Sequence, residues 1–147
     1  MGHMGRGARI ALATLVAGTL DIAAAMGLTL LYHREIARML RYVASGPFPE
    51  ATEWSTAGAV AGLVVHYAIM AVMAATFVFA ADRVDLLKRR WLAAGIGYGL
   101  LTYVVMNLIV VPLRFPGSFP PGAVALATQL FCHIALVGVP IAAIARR

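Results

Sequence analysis

The chain has 147 residues, 62% of them hydrophobic and 12% charged, with a mean hydropathy of +0.87. Soluble domains run at roughly 45–50% apolar and about 25% charged, so this composition excludes a soluble fold and, equally, a disordered one. A formal charge of +6 would suggest nucleic acid in a soluble chain. Here the basic residues stand at the ends of apolar runs, so the expected partner is the lipid bilayer and no nucleic acid is expected.

Crossing a hydrocarbon core of about 30 Å takes about 20 mostly apolar helical residues. Four stretches reach that length: residues 10–32, 57–81, 91–113 and 122–145. Irregular backbone cannot satisfy its polar groups in lipid, so each stretch is predicted as a helix. The expected fold is an all-α, four-transmembrane-helix bundle, a single membrane domain over residues 1–147. Arg6 and Arg9 precede a stretch long enough to span, so the start is not read as a cleavable signal.

After the first stretch, Ile36, Met39, Leu40 and Val43 recur at helical spacing while Arg34, Arg38 and Arg41 fall elsewhere on the wheel. Residues 34–45 therefore predict a short amphipathic helix lying in the membrane interface. Gly46-Pro47-Phe48-Pro49 ends it, and the chain re-enters at Trp54. The connection over 114–121, rich in Pro and Phe, reads as a stiff linker, with a lid or a docking face as the alternative. Eight basic residues (Arg6, Arg9, Arg83, Lys88, Arg89, Arg90, Arg146, Arg147) fall on one side and four (Arg34, Arg38, Arg41, Arg114) on the other. By that asymmetry both termini and the 82–90 loop are expected in the cytoplasm.

Leu63-Val64-Val65-His66-Tyr67-Ala68 aligns with Leu130-Phe131-Cys132-His133-Ile134-Ala135, and Val72 and Ala75 then match Val139 and Ala142. This faint repeat suggests two tandem helical hairpins related by an axis along the membrane normal. It also puts His66 and His133 at equivalent depth.

Ionisable side chains within hydrocarbon cost about 2.5–3.5 kcal/mol on insertion scales and are functional candidates for that reason. Asp21, His66 and His133 are mid-span, with neutral polar Tyr103, Asn107 and Gln129. At a rise of about 1.5 Å per residue, Asp21 and Tyr103 lie about 18 Å from the inner boundary. On the same rise His66 and His133 lie about 13 and 15 Å below the outer ends of their spans. Four polar groups from four helices thus share one level, with Asn107 and Gln129 forming a second pair further out. Gly58 and Gly62 lead to His66, and Gly95 and Gly99 lead to Tyr103 and Asn107, at steps of four. Such ridges let helices approach closely and turn polar groups toward protein.

Several uses suit this cluster. An Asp and two His can relay protons or ions. A pocket lined by the glycines suits a small lipophilic solute. No cofactor is expected outright, but His66 and His133 are the metal candidates: they could be axial haem ligands, and zinc would need Asp21 as a third. The structural alternative has Asp21 hydrogen-bonded to His66 or Tyr103, holding the helices in register. The lone cysteine, Cys132, reads as a small buried hydrophobe. No nucleophile-base pair, phosphate loop or Cys/His repeat is present, so no catalytic residues are predicted.

Ala17-Gly18-Thr19-Leu20-Asp21, His66, Tyr103-Val104-Val105-Met106-Asn107 running to Pro112-Leu113, His133 and Gly138-Val139-Pro140-Ile141-Ala142 give the chain a likeness. It resembles small four-span bacterial inner-membrane proteins, distantly the YagU-like group. The resemblance implies four spans and a bacterial inner-membrane location. It brings no catalytic role. The expectation is a membrane protein relaying protons or binding a small solute at the cluster. The alternative is an accessory subunit, in a homo-oligomer or a larger membrane complex.

Overall fold

A computed structural model describes residues 4–118 and 120–147; Phe119, within the Pro- and Phe-rich linker, lies outside the described residues. The described residues are helical and contain no strand. The helices are α1 (Arg6–Leu31), α2 (Ile36–Ala44), α3 (Ser55–Ala81), α4 (Asp85–Arg89), α5 (Trp91–Arg114) and α6 (Ala123–Ala145). Four of them, α1, α3, α5 and α6, are long and apolar enough to cross a membrane. The face carrying the 82–90 loop, the start of α1 and the end of α6 is called the terminal face below, and the opposite one the distal face.

α1 begins at Arg6 and α3 at Ser55, slightly earlier than hydropathy alone suggests, because nothing breaks a helix between those residues and the apolar run. At the distal face α1 stops on His33, whose φ of 53° is left-handed. The His33 N–H donates to the Leu30 carbonyl and the Arg34 N–H to that of Thr29, so the last carbonyls of α1 are satisfied.

The spans follow the order α3, α1, α6, α5, each packed on the next. α3 also touches α6, but α3 and α5 scarcely meet. An exact two-fold between the α1/α3 and α5/α6 hairpins would map the α1–α6 seam onto an α3–α5 seam. One is packed and the other is open, so the tandem hairpins are unequal halves. The fully buried core is small-residued and sits toward the terminal face: Ala13 and Ala17 of α1, Ala74 and Val78 of α3, Val137 and Ile141 of α6. Outward, Leu31, Val72 and Phe131 are each more than 60% exposed, which is tolerable only with lipid as solvent.

Glycines set the closest crossings. A Cβ on Gly99 would stand 2.5 Å from the His133 carbonyl oxygen, and one on Gly95 would stand 2.9 Å from the Val139 Cα. Gly138 of α6 answers from the other side, facing the Gly95 carbonyl and the Gly99 backbone. The Gly58/Gly62 ridge departs from the expectation that it joins two spans. It seats α2 instead, Gly62 against the Leu40 carbonyl and Gly58 against Arg41 Cγ and the Ala51 carbonyl. The amphipathic helix therefore does not simply lie in the interface but buries Leu40 and Ala44 on the distal half of α3.

Both α5 and α6 widen to π-helical turns, at Val104–Val110 and Cys132–Gly138, each ending two residues before a proline, Pro112 or Pro140. Proline lacks an N–H and crowds the carbonyl four residues back, and a widened turn ahead of it absorbs that misfit. At the terminal face, Asp82 accepts hydrogen bonds from Arg6 (2.8 Å) and Arg9 (2.8 Å) and forms an ion pair with Lys88 (3.1 Å). Led by the Arg6 hydrogen bond, these cations hold its carboxyl far below the usual carboxylate range. Arg9 also donates to the Ala145 carbonyl at 2.9 Å, tying α1, α3 and α6 together.

Candidate intramembrane site

Each long helix contributes one polar side chain near the middle of the bundle: Asp21 from α1, His66 from α3, Tyr103 from α5 and His133 from α6. His66 is buried, and its Nε2 lies 2.9 Å from the Gly18 carbonyl oxygen, so that nitrogen donates. Gly18 is bare because Tyr67 lies against it: a Cβ there would stand 2.8 Å from the ring. The Tyr67 and Thr19 hydroxyls share a hydrogen bond of 2.8 Å. Sequence spacing points to His66 but not to its seat on Gly18 and Thr19, which stand three and two residues before Asp21, nor to Tyr67 as the ring that covers Gly18.

His133 is also buried and donates from Nδ1 to the Gln129 carbonyl one turn back, at 2.9 Å. Its Nε2 is left as the acceptor. The Tyr103 ring meets it edge-on, centroids 5.8 Å apart and planes at 85°. The buried Tyr103 hydroxyl has no hydrogen-bond partner among the described residues. Asp21 lies three residues beyond Gly18, on the turn of α1 against which His66 is held. Its carboxylate makes no hydrogen bond or ion pair among the described residues. The register-holding bond from Asp21 to His66 or Tyr103 is therefore not formed.

The outer pair does not form either. Gln129 and Asn107 share no hydrogen bond; Asn107 is half-buried in the π-helical turn of α5, and Gln129 is exposed. Gln129 lines a crevice of about 470 Å³ between the distal ends of α1 and α6, with Ala25, Thr29, Arg34 and Thr128. Its floor lies one helical turn above Asp21 and His133. Toward the terminal face, Ala13, Ala17, Val137 and Ile141 close the bundle without exposed surface. The site thus has a polar approach on the distal side and a packed apolar plug beneath it.

No three His, Cys, Asp or Glu among the described residues converge closely enough to hold a metal ion, so Asp21, His66 and His133 do not form the three-ligand zinc set. The two imidazoles also differ in role, because the His66 Nε2 is already committed to Gly18. What stays free is the carboxyl of Asp21, the Nε2 of His133 and the hydroxyl of Tyr103. That set suits a small cation bearing O–H or N–H donors. No family model, curated protein or solved structure matches the chain.

Proposed function

We propose that this membrane protein takes up a proton, or a small protonated amine, at Asp21, His133 and Tyr103, with entry from the distal face. The observation that carries the proposal is the mid-span Asp21 carboxyl, without a hydrogen bond or ion pair among the described residues, on the turn of α1 that follows the His66–Gly18 bond. A carboxylate there is too costly to keep uncompensated, and a bound cation offsets the cost. The apolar plug supports one-sided binding over an uninterrupted relay. The charge asymmetry and the resemblance to small four-span proteins support a bacterial inner membrane with the termini in the cytoplasm. The glycine ridges that would suit an accessory subunit's docking face are occupied within the chain itself.

Infrared difference spectra of the protein in nanodiscs, taken over a pH series with and without methylammonium, test this. A titrating carboxyl band that disappears in Asp21→Asn and shifts in Tyr103→Phe is expected, with methylammonium moving its midpoint if amines bind. Loss of no carboxyl band in a folded Asp21→Asn protein would overturn the proposal. So would a Soret band in the visible spectrum of the purified protein, which would assign the histidines to haem.

A further inference from the structure

The open seam between α3 and α5 is a groove of about 700 Å³, walled by Val65, Ala68 and Val72 of α3 and by Leu101 and Val105 of α5. Near the terminal face it is closed by Tyr98, whose hydroxyl donates to the Met73 carbonyl at 2.7 Å and whose ring packs on Phe77. At the distal end Pro47 and Phe48 roof it. Three hydroxyls border it, and each is already spent: Thr76 donates to Val72, Thr102 to Gly99 and Tyr98 to Met73. The groove therefore presents hydrocarbon only, and it faces the membrane.

Its length points to an occupant. From Val64 to Thr76 the wall runs about 18 Å along α3, close to the depth of one leaflet, about 15 Å. Charge at the mouth points the same way. Arg114 is fixed beside the roof by hydrogen bonds to the Ser45 (2.8 Å) and Gly46 (2.9 Å) carbonyls. Cations there sit at the level of lipid phosphates.

We infer that the α3–α5 groove is a binding site for one acyl chain of an anionic phospholipid whose phosphate lies beside Arg114. The site is separate from the Asp21 cluster. Its test uses the full chain in phosphatidylglycerol vesicles doped with a phosphatidylglycerol carrying a photoreactive acyl chain, with the labelled residues mapped by mass spectrometry. Labelling should concentrate on Val65, Ala68, Leu101 and Val105, and fall several-fold in Ala68→Trp while Leu15 and Leu92 label as before. Leu101→Trp, which fills the groove from the other wall, should act alike if Ala68→Trp does not fold. Labelling no stronger in the groove than at Leu15 and Leu92 overturns the inference. So does labelling that survives a folded groove-filling variant, or a cross-linked dimer joined through α3 and α5, which would make a second copy the occupant.

Discussion

Tyr98 donates its hydroxyl hydrogen to the Met73 main-chain carbonyl across 2.7 Å, joining α5 to α3 near the terminal face. Above that level the two helices diverge around the groove. The phenol thus acts as the pin of a V whose arms are the distal halves of α3 and α5. Tyr98→Phe should keep the ring on Phe77 but lose about 1 kcal/mol of stability in detergent unfolding. The spin-label distance between Val64→Cys and Leu101→Cys should broaden in the same variant.

The α5–α6 crossing makes glycine positions unequal. Gly99 and Gly97 are two residues apart, yet a Cβ on Gly99 meets the His133 backbone while one on Gly97 meets nothing within 4 Å. Gly99→Ala should cost about 1–3 kcal/mol, since backbone cannot step aside as a flexible side chain would. Gly97→Ala should be neutral or stabilise by up to about 1 kcal/mol through helix propensity. Thermal unfolding of the two variants in one detergent checks the contrast.

Asp82 predicts an acid limit. Its folded-state pKa is depressed, most of all by the Arg6 hydrogen bond, so the stability it contributes is present above the unfolded value of about 4 and lost as pH falls below it. Unfolding midpoints should therefore decline from about pH 4 downward, and Asp82→Asn should flatten that decline. At neutral pH the same substitution leaves the buried Arg9 without its counter-ion, at a cost of about 3–5 kcal/mol.

Arg114 holds the distal end of α2 through two carbonyls, while Tyr42 and Phe115 stack at 4.5 Å beside it. Arg114→Met should release that end at a cost of about 1.5–3 kcal/mol. Hydrogen exchange over residues 42–48 should rise while the lower halves of α1 and α6 stay protected.

Hydropathy and length were enough to read four helices, and the rise per residue gave an expected depth for Asp21, His66, Tyr103 and His133. Neither quantity carries rotation or divergence. Gln129 shares the stripe of His133, but α1 and α6 part above that level and leave it in a crevice. Gly58 and Gly62 signalled a close approach through their spacing. Their partner was illegible because it is α2, a helix of nine residues brought there by the fold of the 46–54 turn. The π-helical turns were hidden for a different reason. Each follows from a proline two residues beyond it, and a span's apolar content says nothing of how its carbonyls are shared.

The bond from Arg9 to the Ala145 carbonyl has a bearing on biogenesis. It joins residues 136 positions apart, and Arg9 is 92% shielded once it forms. During synthesis α1 enters the membrane with this guanidinium unmatched. Asp82 supplies a counter-charge only when α3 has crossed, and Nη1 finds the Ala145 carbonyl only once α6 has been inserted. Insertion and locking are thus separate events, the second deferred until the polypeptide has threaded the bilayer four times. A ribosome-bound intermediate lacking α6 should therefore hold its first helix loosely, exposed to quality-control proteases that the finished bundle resists.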